Sequence, residues 1–203
     1  MNFWDKQFAV ADFKYGTLPN AFLREQAARL KPRSEVLLPG DGEGRNSVWI
    51  AQQGHLVTAV DSSSVGLGKA RSLAEQRGVT IQTLHADLEH WVPDATSYDA
   101  IALIYLHLPP DLRPLVQRKL FRSLRPKGIF ILEAFHPQQL NYQSGGPKAV
   151  EMLYTLDKIR VDLTTADANE VTELLAWEGE VNLDEGSGHS GPAYVTRFVA
   201  QRD

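Results

Sequence analysis

The chain has 203 residues, 43% of them apolar and 23% charged, with a formal net charge of −4 and no cysteine. That length makes one ordinary domain with a full core, and the composition is globular, which leaves no room for extended disorder. The missing thiols exclude disulfides, thiolate nucleophiles and Cys-ligated metal, and no metal site is expected. The lack of a Lys/Arg block argues against a phosphate-tracking nucleic-acid surface, and no apolar run approaches the ~18 residues of a membrane-spanning helix.

The opening Met1-Asn2-Phe3-Trp4-Asp5-Lys6 lacks the basic-then-apolar layout of a signal segment, so the expected setting is cytoplasmic. The expected partner is a small molecule, with no nucleic acid and no membrane, and the chain is read as a monomer or homodimer. Two short helical patterns follow, Phe3 to Phe8 and Ala21 to Leu30, separated by the turn-rich Tyr15-Gly16-Thr17-Leu18-Pro19-Asn20. Lys31-Pro32-Arg33-Ser34 then breaks the chain.

Val36-Leu37-Leu38-Pro39 is too short and apolar for a helix and runs into Gly40-Asp41-Gly42-Glu43-Gly44-Arg45-Asn46, where glycines alternate. Ser47 to Ala51 has helical composition. A strand, a tight loop and a helix start bring backbone N–H groups together where a small ligand can sit. His55 to Val60 reads as a second buried strand closed by Asp61, which lies 21 positions after Gly40. That spacing suits an acid that accepts hydrogen bonds from ribose hydroxyls, while the plain alternative is a cap for the helix starting near Ser63.

Ser64 to Arg77 is amphipathic with Gly78 as its stop, and Val79 to His85 is a third strand leading into Ala86-Asp87-Leu88-Glu89. Tyr98 to Leu106 is almost unbroken apolar, as a central parallel strand covered on both faces should be. Pro109-Pro110-Asp111 opens a helix ending at Leu124 before Arg125-Pro126-Lys127-Gly128, and Ile129 to Phe135 is a fifth strand. Alternating strands and helices from Glu35 to Phe135 mean βαβ units and a parallel sheet, with ligand chemistry beyond the carboxyl ends of the strands. After a loop over Asn141 to Pro147 and a short helix over Thr155 to Leu163, Val171 to Val181 and Tyr194 to Ala200 read as an antiparallel pair. Their expected connection is the loop Asp184 to Gly191.

A dinucleotide enzyme needs Gly-x-Gly-x-x-Gly, but the sixth position here is Arg45, and there is no Gly-Lys-Ser/Thr phosphate loop. The departures favour an adenosyl ligand without a pyrophosphate. The order of Leu38-Pro39-Gly40-Asp41-Gly42-Glu43-Gly44-Arg45-Asn46, Val57-Thr58-Ala59-Val60-Asp61, Ala86-Asp87-Leu88 and the terminal hairpin resembles the class I S-adenosylmethionine-dependent methyltransferases. Gly-Glu-Gly-Arg-Asn, Tyr15-Gly16-x-x-Pro19-Asn20 and Gly145-Gly146-Pro147 resemble, within them, the tellurite-resistance methyltransferase group.

The resemblance implies a single Rossmann-like α/β domain over 1–203 with a doubly wound, mostly parallel seven-stranded sheet in order 3-2-1-4-5-7-6, strand 7 antiparallel and helices on both faces. Residues 1–34 would be a helical lid segment, 35–137 the cofactor-binding core, and 138–203 the acceptor side and hairpin. S-adenosyl-L-methionine is the implied cofactor, its methionine end over Gly40, Asp41, Gly42 and Gly44, its ribose on Asp61, its adenine near Asp87 and Leu88, with Tyr105 and Leu106 bordering the methyl group. Arg45, Asn46, Ser62, Ala86 and His107 are further expected cofactor contacts. Many relatives carry an acid where this chain has Leu38, so either Asp41 or water would take the cofactor's amino group, or that end would be held differently. The positions matching the group's acceptor-orienting His and Arg are His189 and Arg197, with Tyr15 as a lid aromatic. Each has a plain alternative: His189 a solvated loop histidine, Arg197 the outer face of a strand, His107 a packed ring, Tyr15 an anchor of the N-terminal segment. Glu133 is read as paired with a neighbour.

The implied activity is in-line methyl transfer from a sulfonium to a small acceptor, an oxyanion such as tellurite or a thiol-like or small organic molecule. The alternative is a non-catalytic S-adenosylmethionine-binding sensor or scaffold.

Overall fold

The computed structural model describes residues 2–164 and 171–203. Seven strands form one sheet: β1 (Glu35–Pro39), β2 (Leu56–Asp61), β3 (Gln82–His85), β4 (Tyr98–Ile104), β5 (Leu124–Phe135), β6 (Val171–Glu185) and β7 (His189–Arg202). Their spatial order is β3-β2-β1-β4-β5-β7-β6, as the resemblance implied. The first five pair in parallel, whereas β7 runs antiparallel to both β5 and β6.

Strand alternation separates the core into two layers. Val36 and Leu38, Ala100 and Ala102, and Ile129 and Ile131 point to one face, where they meet α2 (Ala21–Gln26), α3 (Arg45–Gln52) and α4 (Ser64–Gln76). Leu37, Ile101, Leu103, Phe130 and Leu132 point to the other, against α5 (Arg113–Ser123) and α6 (Leu156–Leu163). A strand apolar on both sides has to sit centrally, which is why β4 and β5 read as continuous apolar runs. A buried ion pair between Arg113 and Asp162 pins α5 to α6. The first helix, α1 (Phe3–Phe8), is closed by a capping box between Asn2 and Asp5.

Several boundaries differ from the sequence reading: the third strand starts only at Gln82, the helix from Ala21 stops at Gln26, β4 ends at Ile104, and α5 begins at Arg113. Arg125-Pro126-Lys127-Gly128 continues into β5 instead of ending a helix, since α5 stops at Ser123. The β6–β7 hairpin is longer than expected at its tip: its pairing continues to Glu185 opposite His189, so only Gly186, Ser187 and Gly188 turn the chain. Glycine there serves close packing, because a Cβ on Gly188 would lie 2.3 Å from the Tyr15 ring. The Gly188 amide donates to the Lys14 carbonyl at 3.0 Å, which closes the N-terminal segment over the hairpin tip.

Gly44, at the entry to α3, has φ +90° and faces α4 so closely that a Cβ would lie 2.6 Å from Ala70 Cα. Gly44→Ala is therefore expected to destabilise the protein by about 1–3 kcal/mol through backbone strain and overpacking, lowering the thermal midpoint by several degrees. An unchanged midpoint in a calorimetric scan would refute this packing account.

Candidate active site

A cavity of about 570 Å³ opens beyond the carboxyl ends of the central strands. Its first wall is the loop after β1, whose residues Gly40, Asp41 and Gly42 are followed by Arg45 and Asn46 in the first turn of α3. Asp61 and Ser62, at the end of β2, form the adjacent side. Asp61 is 7% exposed and accepts from the Gly42 amide through Oδ2 and the Ser63 amide through Oδ1, both at 2.8 Å. Burial nonetheless raises its pKa, and the two backbone bonds counter that only in part. Each oxygen keeps a lone pair for a ligand hydroxyl.

Asp41 accepts from the Ser47 amide at 3.2 Å and the Ser47 hydroxyl at 2.5 Å, so it caps α3 from inside the loop. Burial pushes its carboxyl up to about 7, against the Ser47 hydrogen bonds. Arg45 donates from Nη2 to Glu185 Oε2 at 2.8 Å, while its Nη1 is buried with no hydrogen-bond partner among the described residues. An unsatisfied guanidinium nitrogen in the wall of a cavity is a place for an anionic ligand group.

The far end is walled by rings. His189 lies with its ring centroid 4.5 Å from Tyr15, 4.5 Å from Tyr105 and 5.1 Å from Phe135. Its Nδ1 faces Glu185 Oε2 at 3.5 Å, and burial lowers its pKa although Glu185 opposes this. Glu185 would be raised by burial too, but the His189 hydrogen bond and the Arg45 charge hold its carboxyl down at about 2. Tyr105 has φ +53°, a strained conformation for a non-glycine residue. It is held by its amide on the Glu133 carbonyl at 2.8 Å and its hydroxyl on Glu133 Oε1 at 2.6 Å. Burial pushes the Tyr15 hydroxyl up to about 12 and the Tyr105 hydroxyl well above its ordinary value, so both stay protonated.

His107 lines the cavity, yet both ring nitrogens are engaged: Nδ1 with the Met152 carbonyl at 2.8 Å and Nε2 with the Phe135 amide at 3.3 Å. An amide can only donate, so Nε2 accepts and Nδ1 carries the proton. Burial holds its pKa down at about 4, and it is a neutral wall. Phe3, Trp4 and Phe8 of α1 roof the cavity, with Trp4 stacked on Phe8 at 5.5 Å. Asp5 fastens that roof by accepting from the Ser63 hydroxyl at 2.8 Å and the Val65 amide at 3.3 Å.

Of the residues expected from the sequence, Tyr15, Gly40, Asp41, Gly42, Arg45, Asn46, Asp61, Ser62, Asp87, Leu88, Tyr105, Leu106, His107 and His189 line this cavity. Three are not among its lining residues. Gly44 is turned toward α4, and Ala86 packs against the core layer of α5 and α6. The Arg197 guanidinium pairs with Glu133 at 2.5 Å and lies between the Phe22 and Trp177 rings, 4.9 and 5.3 Å from their centroids. Sequence reasoning missed Glu185, Asn20 and the α1 rings. Only the placement of Glu185 four positions before His189 carried a signal, and it was hidden by the expectation of a loop there.

Residues 36–128 match a family model described as a methyltransferase domain. A curated relative, the 2-heptyl-1-hydroxyquinolin-4(1H)-one methyltransferase of Mycobacteroides abscessus, is 24% identical over 123 residues, which are 59% of this chain and 54% of that protein. The chain thus spans about half the length of that relative. Among solved structures, a protein from work on the conversion of a disulfide bond into a thioacetal group during echinomycin biosynthesis superimposes with TM-score 0.79 and 17% identity, over 98% of this chain and 92% of the other. TehB from Haemophilus influenzae gives 0.71 at 15% identity, over 99% and 66%. Magnesium protoporphyrin IX methyltransferase (ChlM) from Synechocystis PCC 6803, with bound SAH, gives 0.66 at 21% identity, over 89% and 80%. At these identities the solved structures share the fold. The domain match over residues 36–128 and the shared fold together make this chain similar to the class I S-adenosylmethionine-dependent methyltransferases, the tellurite-resistance group among them.

Proposed function

We propose that this chain transfers the methyl group of S-adenosyl-L-methionine to a small-molecule acceptor by in-line displacement. The observation that carries the reading is one cavity of about 570 Å³ lined at one side by the Gly40–Gly42 loop and Asp61 and at the other by the rings around His189. The curated relative, named for a hydroxyquinolinone, supports an organic acceptor.

The residues present fit this cofactor. Arg45 Nη1, buried and unpartnered, suits the methionine carboxylate. Asp41, in place of the acid missing at Leu38, suits the ammonium, and Asp61 suits the ribose hydroxyls. Asp87 and Leu88 would flank the adenine, with one acceptor and one apolar surface. The bound cofactor supplies a methyl group already activated by sulfonium charge. The protein then has to align the reactants and exclude water, and such positioning can lower a barrier by about 7–11 kcal/mol. Tyr105, fixed by Glu133, and the α1 rings serve both ends, because ring faces attract a cation while shutting out solvent.

Titration calorimetry with S-adenosylhomocysteine is expected to show micromolar binding, and absence of heat or thermal shift would remove the reading. Asp61→Asn should weaken that binding by roughly 1.5–3 kcal/mol if the ribose bonds are charge-assisted; an unchanged dissociation constant would leave Asp61 a role in the fold only. Binding should also depend on pH through Asp41. Its carboxyl, near 7 in the free protein, is largely neutral below that value, whereas an adjacent ammonium favours the carboxylate and lowers its pKa in the complex. Affinity should therefore rise with pH, approaching about tenfold per pH unit below 7 and levelling off above it. Asp41→Asn should flatten the profile, and a flat wild-type profile would take the ammonium away from Asp41.

A further inference from the structure

The far end of the cavity has features that alignment of donor and acceptor does not need. Glu185 and His189 face each other as the last cross-strand pair of the β6–β7 hairpin. Glu185 is fixed on its other side by Asn20 Nδ2 at 2.8 Å and Arg45 Nη2 at 2.8 Å, so its Oε2 meets His189 Nδ1 from a set position. A carboxylate at Nδ1 selects the Nδ1–H tautomer and leaves Nε2 as the basic atom. Among the described residues nothing forms a hydrogen bond to His189 Nε2, while His189 itself lines the cavity.

Charge at this end is balanced. The groups facing His189 are Glu185 from β6, Arg45 from α3, Glu133 from β5, Tyr105 and His107 from the end of β4 and the loop after it, and Tyr15 from the N-terminal segment. Arg45 is neutralised by Glu185 and Arg197 by Glu133, and no lysine lines the cavity. An oxyanion acceptor would enter a ring-walled space next to two buried carboxylates with no unpaired cation of its own. A flat, neutral acceptor instead finds ring surface in this wall, where Tyr15, Tyr105 and Phe135 pack around His189 and all four line the cavity, and ring–ring contacts there are favourable.

Resting on the methyltransferase reading above, we infer that His189, oriented by Glu185, is the general base of an acceptor site built for an aromatic or heteroaromatic hydroxyl or thiol that still carries its proton at neutral pH. The acceptor X–H gives its proton to Nε2, and an X lone pair forms the X–CH3 bond. The methyl–sulfur bond breaks with its electron pair staying on sulfur, which cancels the sulfonium charge. The products are the methylated acceptor, S-adenosylhomocysteine and an imidazolium paired with Glu185, which returns its proton to water after release. Burial keeps the imidazole neutral and ready to accept.

The test compares 2-naphthol, which keeps its proton at neutral pH, with pentafluorothiophenol, which has already lost it, and with tellurite. His189→Gln should lower kcat/KM for 2-naphthol by about 10²–10⁴-fold, the usual worth of a general base, and leave pentafluorothiophenol near wild type. Glu185→Gln should show the same selectivity with a smaller loss. Calorimetric binding of S-adenosylhomocysteine should be retained in His189→Gln, and ring 15N shifts of wild-type His189 should report the Nδ1–H tautomer. Equal losses on both aromatic acceptors, preference for tellurite, an Nε2–H tautomer, or no methylation of any aromatic acceptor by a protein that binds S-adenosylhomocysteine would each overturn the inference. Failure of the wild type to bind S-adenosylhomocysteine would instead strike the function proposed above, and this inference with it.

Discussion

Two buried carboxylates hold the site together. Glu133, 1% exposed in the middle of β5, accepts from Asn20, Tyr105 and its cross-strand neighbour Arg197. Glu185, 8% exposed at the end of β6, accepts from Asn20, Arg45 and His189. Asn20 Nδ2 donates to both, which ties the N-terminal segment to the sheet and to the hairpin tip. Buried charge is costly to desolvate, and an ion pair compensates that only when its remaining lone pairs are satisfied. Here each acid has three donors, so the surrounding elements can take few other relative positions.

That arrangement explains the character of the cavity. With the acids matched by Arg45 and Arg197, its far end carries rings without net charge, while its near end carries Asp41, Asp61 and one unpartnered guanidinium nitrogen. The two proposed ligands, a nucleoside carrying carboxylate, ammonium and sulfonium charges and a flat neutral acceptor, would therefore be sorted to opposite ends by electrostatics and shape. The strained backbone of Tyr105 lies at the junction, held on both its amide and its hydroxyl by Glu133. Strain that the surroundings over-determine is commonly found where a side chain must keep one position.

Much of the fold could be read from periodicity. Apolar runs too short for helices, glycines at alternate positions and helical stretches between them lead to parallel βαβ units, and the sheet order follows the resemblance. Near the first strand, Gly40, Gly42 and Asp61 are joined by short-range contacts such as the Gly42 amide on Asp61, whereas Arg45 is placed by the distant Glu185. Glycine misled at the hairpin. Between Asp184 and Gly191 it suggested a loose loop, yet Gly186 and Gly188 are there because Tyr15 and Gly16, far away in sequence, press against them. His107 and Arg197 show the same limit, since a histidine after a strand and an arginine within one give no sign of which partners engage their nitrogens.

By itself, then, the sequence determined the order and type of the elements and the ligand-facing loop after the first strand, because backbone preference and apolar spacing act over a few residues. The tertiary structure alone decided which charges cancel, which histidine keeps a free nitrogen and which rings meet around it. Those outcomes depend on side chains far apart in the chain, 165 positions in the case of Asn20 and Glu185, and no local pattern encodes a pairing at that separation.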